Sequence, residues 1–240
     1  CRTAGNPGGR PRRTTRSYRS VGYSCRMAAP PIPSSLAERL SETARRLQTA
    51  RRVALAALDV DETTWEYAGR TWSWPAGEAR TYFHELAPGE AQVLERANER
   101  YGVQRVGVGT GRVAVELPAD TVGSDEPHIA KLARYGPDAE MGAGKPQNRR
   151  ERTLWEAIES HPFLPVCAAD DDGDWLVMPR ATVPPPPADR EVAMSRIRQA
   201  LAAHDDAFHF DELKPENVGH YDGRYWIVDY GRPPGEPRFV

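Results

Sequence analysis

Residues 209–231, HFDELKPENVGHYDGRYWIVDYG, restrict this chain more than any other stretch. They read as a polar loop, a strand, a two-residue turn and a second strand. Asp222-Gly223 is the kind of dipeptide that most favours a tight hairpin, because both central residues of such a turn need a positive φ. Tyr221 before it, and Tyr225, Ile227 and Val228 after it, are the aromatic and β-branched residues that suit strands. Folding the chain about the middle of the turn brings Asn217 and Asp229 side by side at the open end, with Lys214 close by. An amide oxygen and a carboxylate beside an ammonium suit a magnesium ion carrying a polyphosphate.

The order LKPEN, hairpin, DYG resembles the catalytic loop and metal loop of the protein-kinase-like fold. In that family an acidic residue precedes the lysine by two positions, an asparagine follows it by three, and the metal-binding aspartate comes about a dozen residues later. Glu212, Lys214, Asn217 and Asp229 meet those spacings. The chain departs from the family in carrying Glu212 at the base position, with Asp211 just before it. The resemblance implies that Asn217 and Asp229 hold Mg²⁺, that Lys214 neutralises the transferred phosphate, and that Glu212 or Asp211 accepts the hydroxyl proton.

Residues 104–136 read as strand, turn and strand, then a polar loop and a third strand, HIAKLARYG. Gly107, Gly109 and Gly111 let the backbone approach a ligand closely, as a lid over phosphates must, and they equally suit a tight turn. The run GxGxG-R-V resembles the family's glycine-rich loop, with its third glycine one residue early. Ile129, Ala130 and Leu132 mark a mostly buried strand, in which an unpaired Lys131 is expensive. A helix over 147–161 supplies the counter-charge: Glu151, Leu154, Trp155 and Ile158 share one apolar face. The resemblance makes Lys131 the anchor of the α and β phosphates of ATP, held by Glu151 of helix C.

Only three of the 32 basic residues are lysines (131, 145 and 214), and two of these fall where the resemblance asks for one. The charge is also unevenly spread. Residues 1–26 hold seven arginines and no acid, which leaves 25 basic against 34 acidic residues in 27–240, a net of −9. That Gly/Pro/Ser/Arg-rich segment lacks the apolar stretch of a secretory signal. It reads as an extension, with the folded chain starting after it. The acidic body argues against nucleic acid as a partner. No apolar run approaches a membrane span, and three scattered cysteines (1, 25 and 167) argue against a disulfide framework and suit the cytoplasm.

The remaining segments are read from periodicity. Ser34 or Ser35 caps a helix to about Leu58, with Leu36, Leu40, Ala44, Leu47 and Arg51 at helical spacing. WEYAGRTWSW suggests a hairpin with Trp65, Trp72 and Trp74 forming a local core, and 88–101 suggests a helix stopped by Gly102. A hairpin over 163–181 turns at Asp170, Asp171, Asp172 and Asp174, which read as solvated. By resemblance it leads to an adenine-holding hinge at Met178, Pro179 and Arg180. Pro184–Pro187 is a stiff linker. A helix over 188–203 follows, capped by Asp189, with Val192, Ile197 and Leu201 inward. The cluster His204, Asp205, Asp206, His209 and Asp211 supports a rival, a metal-dependent phosphohydrolase.

The sequence therefore predicts an α+β, protein-kinase-like fold with an antiparallel-sheet N-lobe, a helix C and an abbreviated C-lobe. It divides into a disordered Arg/Pro-rich extension (1–33), a helical and hairpin support region (34–103), the N-lobe (104–183) and the abbreviated C-lobe (184–240). The function that the resemblance implies is binding of ATP and Mg²⁺ with phosphotransfer to a protein or small-molecule hydroxyl. Nine residues follow Gly231, without the family's activation segment. An inactive, nucleotide-binding or protein-docking pseudokinase is therefore the alternative.

Overall fold

In a computed structural model of the chain, the described residues are 32–58, 62–67, 70–75, 82, 85–136, 143–158, 161–202 and 213–231. The expected disordered arm lies outside them, apart from residues 32 and 33.

The chain is a mixed α+β protein built on a five-stranded antiparallel sheet. Its strands are β3 (Gln104–Val108), β4 (Arg112–Leu117), β5 (His128–Ala133), β6 (Ala168–Ala169) and β7 (Trp175–Pro179), ordered β3-β4-β5-β7-β6. Alternation along each strand sends side chains to two different layers. Val113, Val115, Leu117, Ala130, Leu132, Trp175 and Val177 join one core with helices α1 (Ser34–Ala56) and α2 (Pro88–Tyr101). Leu176 and Met178 face the other way and join a second core.

The first core follows from helical spacing. Leu36, Leu40, Ala44, Leu47 and Arg51 are all buried on α1, and each fully buried leucine contributes roughly 2 kcal/mol. The helix stops at Ala56, two residues before the expected end. Pro33, whose ring suits a helix start, occupies the cap position, and no serine side chain caps the helix. α2 starts at Pro88 and ends where Gly102 takes φ 69°, as expected. Helices α1 and α2 and the sheet thus share one hydrophobic interior. Strands β1 (Glu62–Tyr67) and β2 (Arg70–Pro75) form the expected hairpin, pairing Trp65 with Trp72. The packing expected of their tryptophans lies outside the described side chains.

The second core joins Leu176 and Met178 of the sheet to Phe163, Leu164, Ala193, Ile197, Val218, Ile227 and Tyr230. Helix α4 (Gly144–Ile158) begins three residues earlier than its periodicity suggests. A short helix, α3 (Ala119–Val122), interrupts the polar loop before β5. Helix α5 (Arg190–Leu201) buries Ala193, Met194 and Ile197. Val192, expected inside, is 48% exposed, because the stripe at 193, 194 and 197 leaves it on the outer edge. Asp189 sits at the N-cap position without a capping bond. Strands β8 (Val218–Tyr221) and β9 (Arg224–Ile227) form the terminal hairpin. Its turn has φ of 47° at Asp222 and 70° at Gly223, as the dipeptide requires.

The acidic turn differs from expectation. Asp171 is solvated, but Asp174 has a fully buried side chain bonded to Arg45, Gln48 and Lys145. Charge alone suggested solvent exposure, whereas three donors from two helices draw this carboxylate inside. Burial opposes its charge, yet Lys145, Gln48 and Arg45 outweigh that and hold its pKa below the usual range.

Candidate active site

The site is centred on Glu151, whose side chain is fully buried on α4. Lys131 of β5 donates to both of its oxygens at 2.9 and 2.8 Å. Arg112 of β4 donates to the same carboxylate at 3.0 Å. The backbone N–H groups of Tyr230 and Gly231 add bonds of 2.8 and 3.0 Å. Register explains the convergence. Ala114 pairs with Lys131, so Arg112, Ala114, Ile129 and Lys131 belong to one face of the sheet, away from the first core. The Lys131–Glu151 contact expected from two separate periodicities is present.

The segment after β9 is fastened at successive residues. The Val228 N–H donates to the Asn217 carbonyl at 2.9 Å, and Lys131 donates to the Val228 carbonyl. The Tyr230 hydroxyl reaches the Leu164 carbonyl at 2.7 Å, and its ring meets Phe163 edge-on at 5.0 Å. Gly231 fits because it has no side chain: a Cβ there would lie 2.3 Å from the Gln147 carbonyl. Asp229, held between these anchors, stays half exposed.

Asn217 closes a single 3₁₀ turn, Pro215–Asn217, that Lys214 precedes, and it is partly exposed like its neighbour Asp229. Lys214 is exposed. The hairpin thus brings Asn217 next to the residue preceding Asp229. Asp211 and Glu212 lie outside the described residues, as do His204, Asp205, Asp206 and His209 of the rival metal cluster. Among the described residues no group of three His, Cys, Asp or Glu side chains is placed to hold a metal. His128 and His161 each bond a backbone carbonyl, at 2.9 and 2.8 Å.

Of the three glycines around the β3–β4 turn only Gly111 is crowded, and its neighbour is the end of a side chain rather than backbone. A Cβ on Gly107 or Gly109 meets ordinary contacts, whereas on Gly111 it would press into the Gln147 side chain at 2.8 Å. The turn is held from inside. Arg134 donates to the Gly109 carbonyl, Arg51 to the Thr110 carbonyl, and the Arg134 N–H to the Gly111 carbonyl. Glu90 of α2 neutralises Arg134 through bonds of 2.8 and 2.7 Å. Behind the sheet, a cavity of about 840 Å³ lined by Ser41, Arg45, Thr49, Arg96 and Trp175 contains none of the site residues named above.

Sequence reasoning missed Arg112. Its guanidinium, almost wholly buried, also reaches the Asn148 amide oxygen and the Asp229 carboxylate. Strand alternation could have found it, two residues before the partner of Lys131. Two cations and two carboxylates therefore share the site. Burial pulls the Lys131 pKa down, Glu151 opposes that, and Arg112 adds to it; the net shift is downward. Burial works against the Asp229 charge, but Arg112 and Lys131 prevail and hold its pKa below the usual carboxylate range.

Of the residues expected at the hinge, Met178 belongs to the second core, and Thr182 lies just beyond them. Met178 is buried, Arg180 pairs with Glu116 of β4, and Thr182 exchanges backbone bonds with His220 of β8. Among the described residues no helix is long and apolar enough to cross a membrane. Comparison of the chain with protein-family models and with curated protein sequences gives no match.

Proposed function

We propose that the chain is a protein-kinase-like protein that binds ATP with Mg²⁺ and transfers phosphate to a protein or small-molecule hydroxyl. One observation carries the reading: the Glu151 carboxylate accepts from Lys131 and also from the backbone N–H groups of Tyr230 and Gly231. That geometry ties an ammonium and an accessible carboxylate to one buried anchor, which suits phosphate and metal binding. The sheet order, with a helix inserted between β5 and β6, supports the same reading.

The donor set fits magnesium. Asp229 offers a half-exposed carboxylate and Asn217 an amide oxygen, and such ions take one or two protein oxygens plus phosphate and water. Asp229 and Asn217 would hold the ion, which would supply positive charge to offset that of the phosphates. Lys131 orients the inner phosphates, Lys214 offsets charge on the transferred group, and Glu212 or Asp211 accepts the hydroxyl proton. The hydrogen bonds to Tyr230 and Gly231 keep Asp229 aimed while this occurs.

A second reading, a nucleotide-binding module without turnover, draws on the engagement of Asp229 by Arg112. Turnover separates the two. Labelled ATP is followed for hydrolysis and for transfer to protein and small-molecule acceptors, using the wild type, Glu212→Gln, Asp211→Asn and Glu212→Asp. Loss of turnover in Glu212→Gln with retained affinity supports the enzyme and assigns the base. Binding without turnover in both the wild type and Glu212→Asp leaves the binding module.

A further inference from the structure

We infer that Arg112 is a built-in competitor for the metal: in the free protein it holds Asp229, and a polyphosphate releases it. The inference rests on the nucleotide-site reading above. Arg112 is anchored from behind, where Glu151 and Asn148 take its two terminal nitrogens at 3.0 and 3.3 Å. Its outer nitrogen is left to bridge from Glu151 to Asp229. The side chain is 7% exposed, whereas that of Asp229 is 50% exposed. The cation is thus fixed by the protein interior, and the carboxylate is the partner that an incoming ligand can reach.

A divalent cation entering at Asp229 meets a positive charge already in hydrogen-bonding contact with its main ligand. Coulomb repulsion and the loss of that hydrogen bond both weaken metal binding in the absence of nucleotide. A polyphosphate changes the balance. A guanidinium presents several N–H donors in a plane and pairs well with phosphate oxygens. Arg112 can therefore exchange Asp229 for phosphate while keeping Glu151 and Asn148. Each ligand then favours the other, since phosphate draws Arg112 from Asp229 and the metal fills the carboxylate so freed. Linkage makes this coupling reciprocal. Arg112 is thus a positioning residue that makes the site respond to metal and nucleotide together and poorly to metal alone.

The test is equilibrium binding of Mn²⁺, a paramagnetic substitute for Mg²⁺, to the full chain with and without ATP, read from the free-ion resonance signal. The variants are Arg112→Gln, Asp229→Asn and the double variant. Without nucleotide, Arg112→Gln should bind Mn²⁺ at least about tenfold more tightly than wild type, equivalent to about 1.4 kcal/mol. Structural damage would shift affinity in the opposite direction. The double variant should lose the gain. ATP should raise Mn²⁺ affinity more in the wild type than in Arg112→Gln. If Arg112→Gln does not fold, Arg112→Met keeps the side-chain length and removes the charge, with the same expected sign. Equal affinities in wild type and Arg112→Gln, with Asp229→Asn weakening both, would overturn the competitor while leaving the metal site standing. No effect of Asp229→Asn, with or without ATP, would overturn both.

Discussion

Two clusters of buried charge lie beside the same glycine-rich turn, and they differ in what a ligand could reach. In one, Arg134 pairs with Glu90, and among the described residues Arg51 and Arg134 also donate to the carbonyls of Tyr82, Glu85, Gly109 and Thr110. All three side chains are sealed inside. In the other, Lys131 and Arg112 meet two carboxylates, and one of these, Asp229, remains half exposed. Both clusters are ion-paired around a fully buried carboxylate, so pairing alone does not distinguish them. The distinction is an exit. Among the described residues the Glu90 cluster reaches backbone carbonyls and no exposed side chain, whereas the Glu151 cluster reaches a carboxylate that solvent or a ligand can approach.

The largest expected effect comes from removing either central carboxylate. Glu151→Gln leaves Lys131 and Arg112 under-compensated, and Glu90→Gln does the same to Arg134; each should lose about 3–5 kcal/mol in chemical denaturation. The comparison sharpens when folded protein is titrated with Mg-ATP, where Glu90→Gln should bind as wild type does and Glu151→Gln should not. Equal losses of binding would mean that the closed cluster belongs to the site.

A smaller effect is expected at the glycines. Gly231→Ala places a methyl group against the Gln147 backbone and should cost about 1–3 kcal/mol while displacing Asp229. Gly109→Ala meets only ordinary contacts and should change stability far less. Thermal melts of the two variants would give the ordering, and a reversed order would break the steric argument.

The smallest effect is the acid response of Asp229. Its folded pKa lies below the unfolded value, so its charge stabilises the fold above about pH 4, and that contribution is lost as pH falls through the folded pKa. Asp229→Asn should flatten that part of a stability–pH profile, modestly because the group is half exposed. An unchanged profile would show that the Arg112–Asp229 contact contributes no pH-dependent stability.

Much of this arrangement was legible in the chain because it depends on short-range periodicity. Asp222-Gly223 set the turn, Gly102 the helix stop, and strand and helix spacing turned Lys131 and Glu151 inward. What escaped depends on distance. Arg112 meets Asp229 across 117 positions, and Arg134 meets Glu90 across 44. In a chain with 29 arginines, nothing local marks those that end buried. Asp174 and Val192 escaped for related reasons. A charge run looks solvated until donors from two helices converge on one member, and an apolar residue at a helix edge looks inward until the stripe beside it is seen.

The account stands or falls on nucleotide binding at Asp229. Thermal stability of the full chain measured against Mg-ATP concentration tests it most directly, with Asp229→Ala alongside. A ligand that binds only the folded state adds RT ln(1 + [L]/Kd), about 2.7 kcal/mol at a hundredfold excess over Kd. The wild type should show that Mg-dependent gain and Asp229→Ala should lose it. No Mg-dependent shift in the wild type at millimolar nucleotide, or an equal shift in Asp229→Ala, would contradict the account.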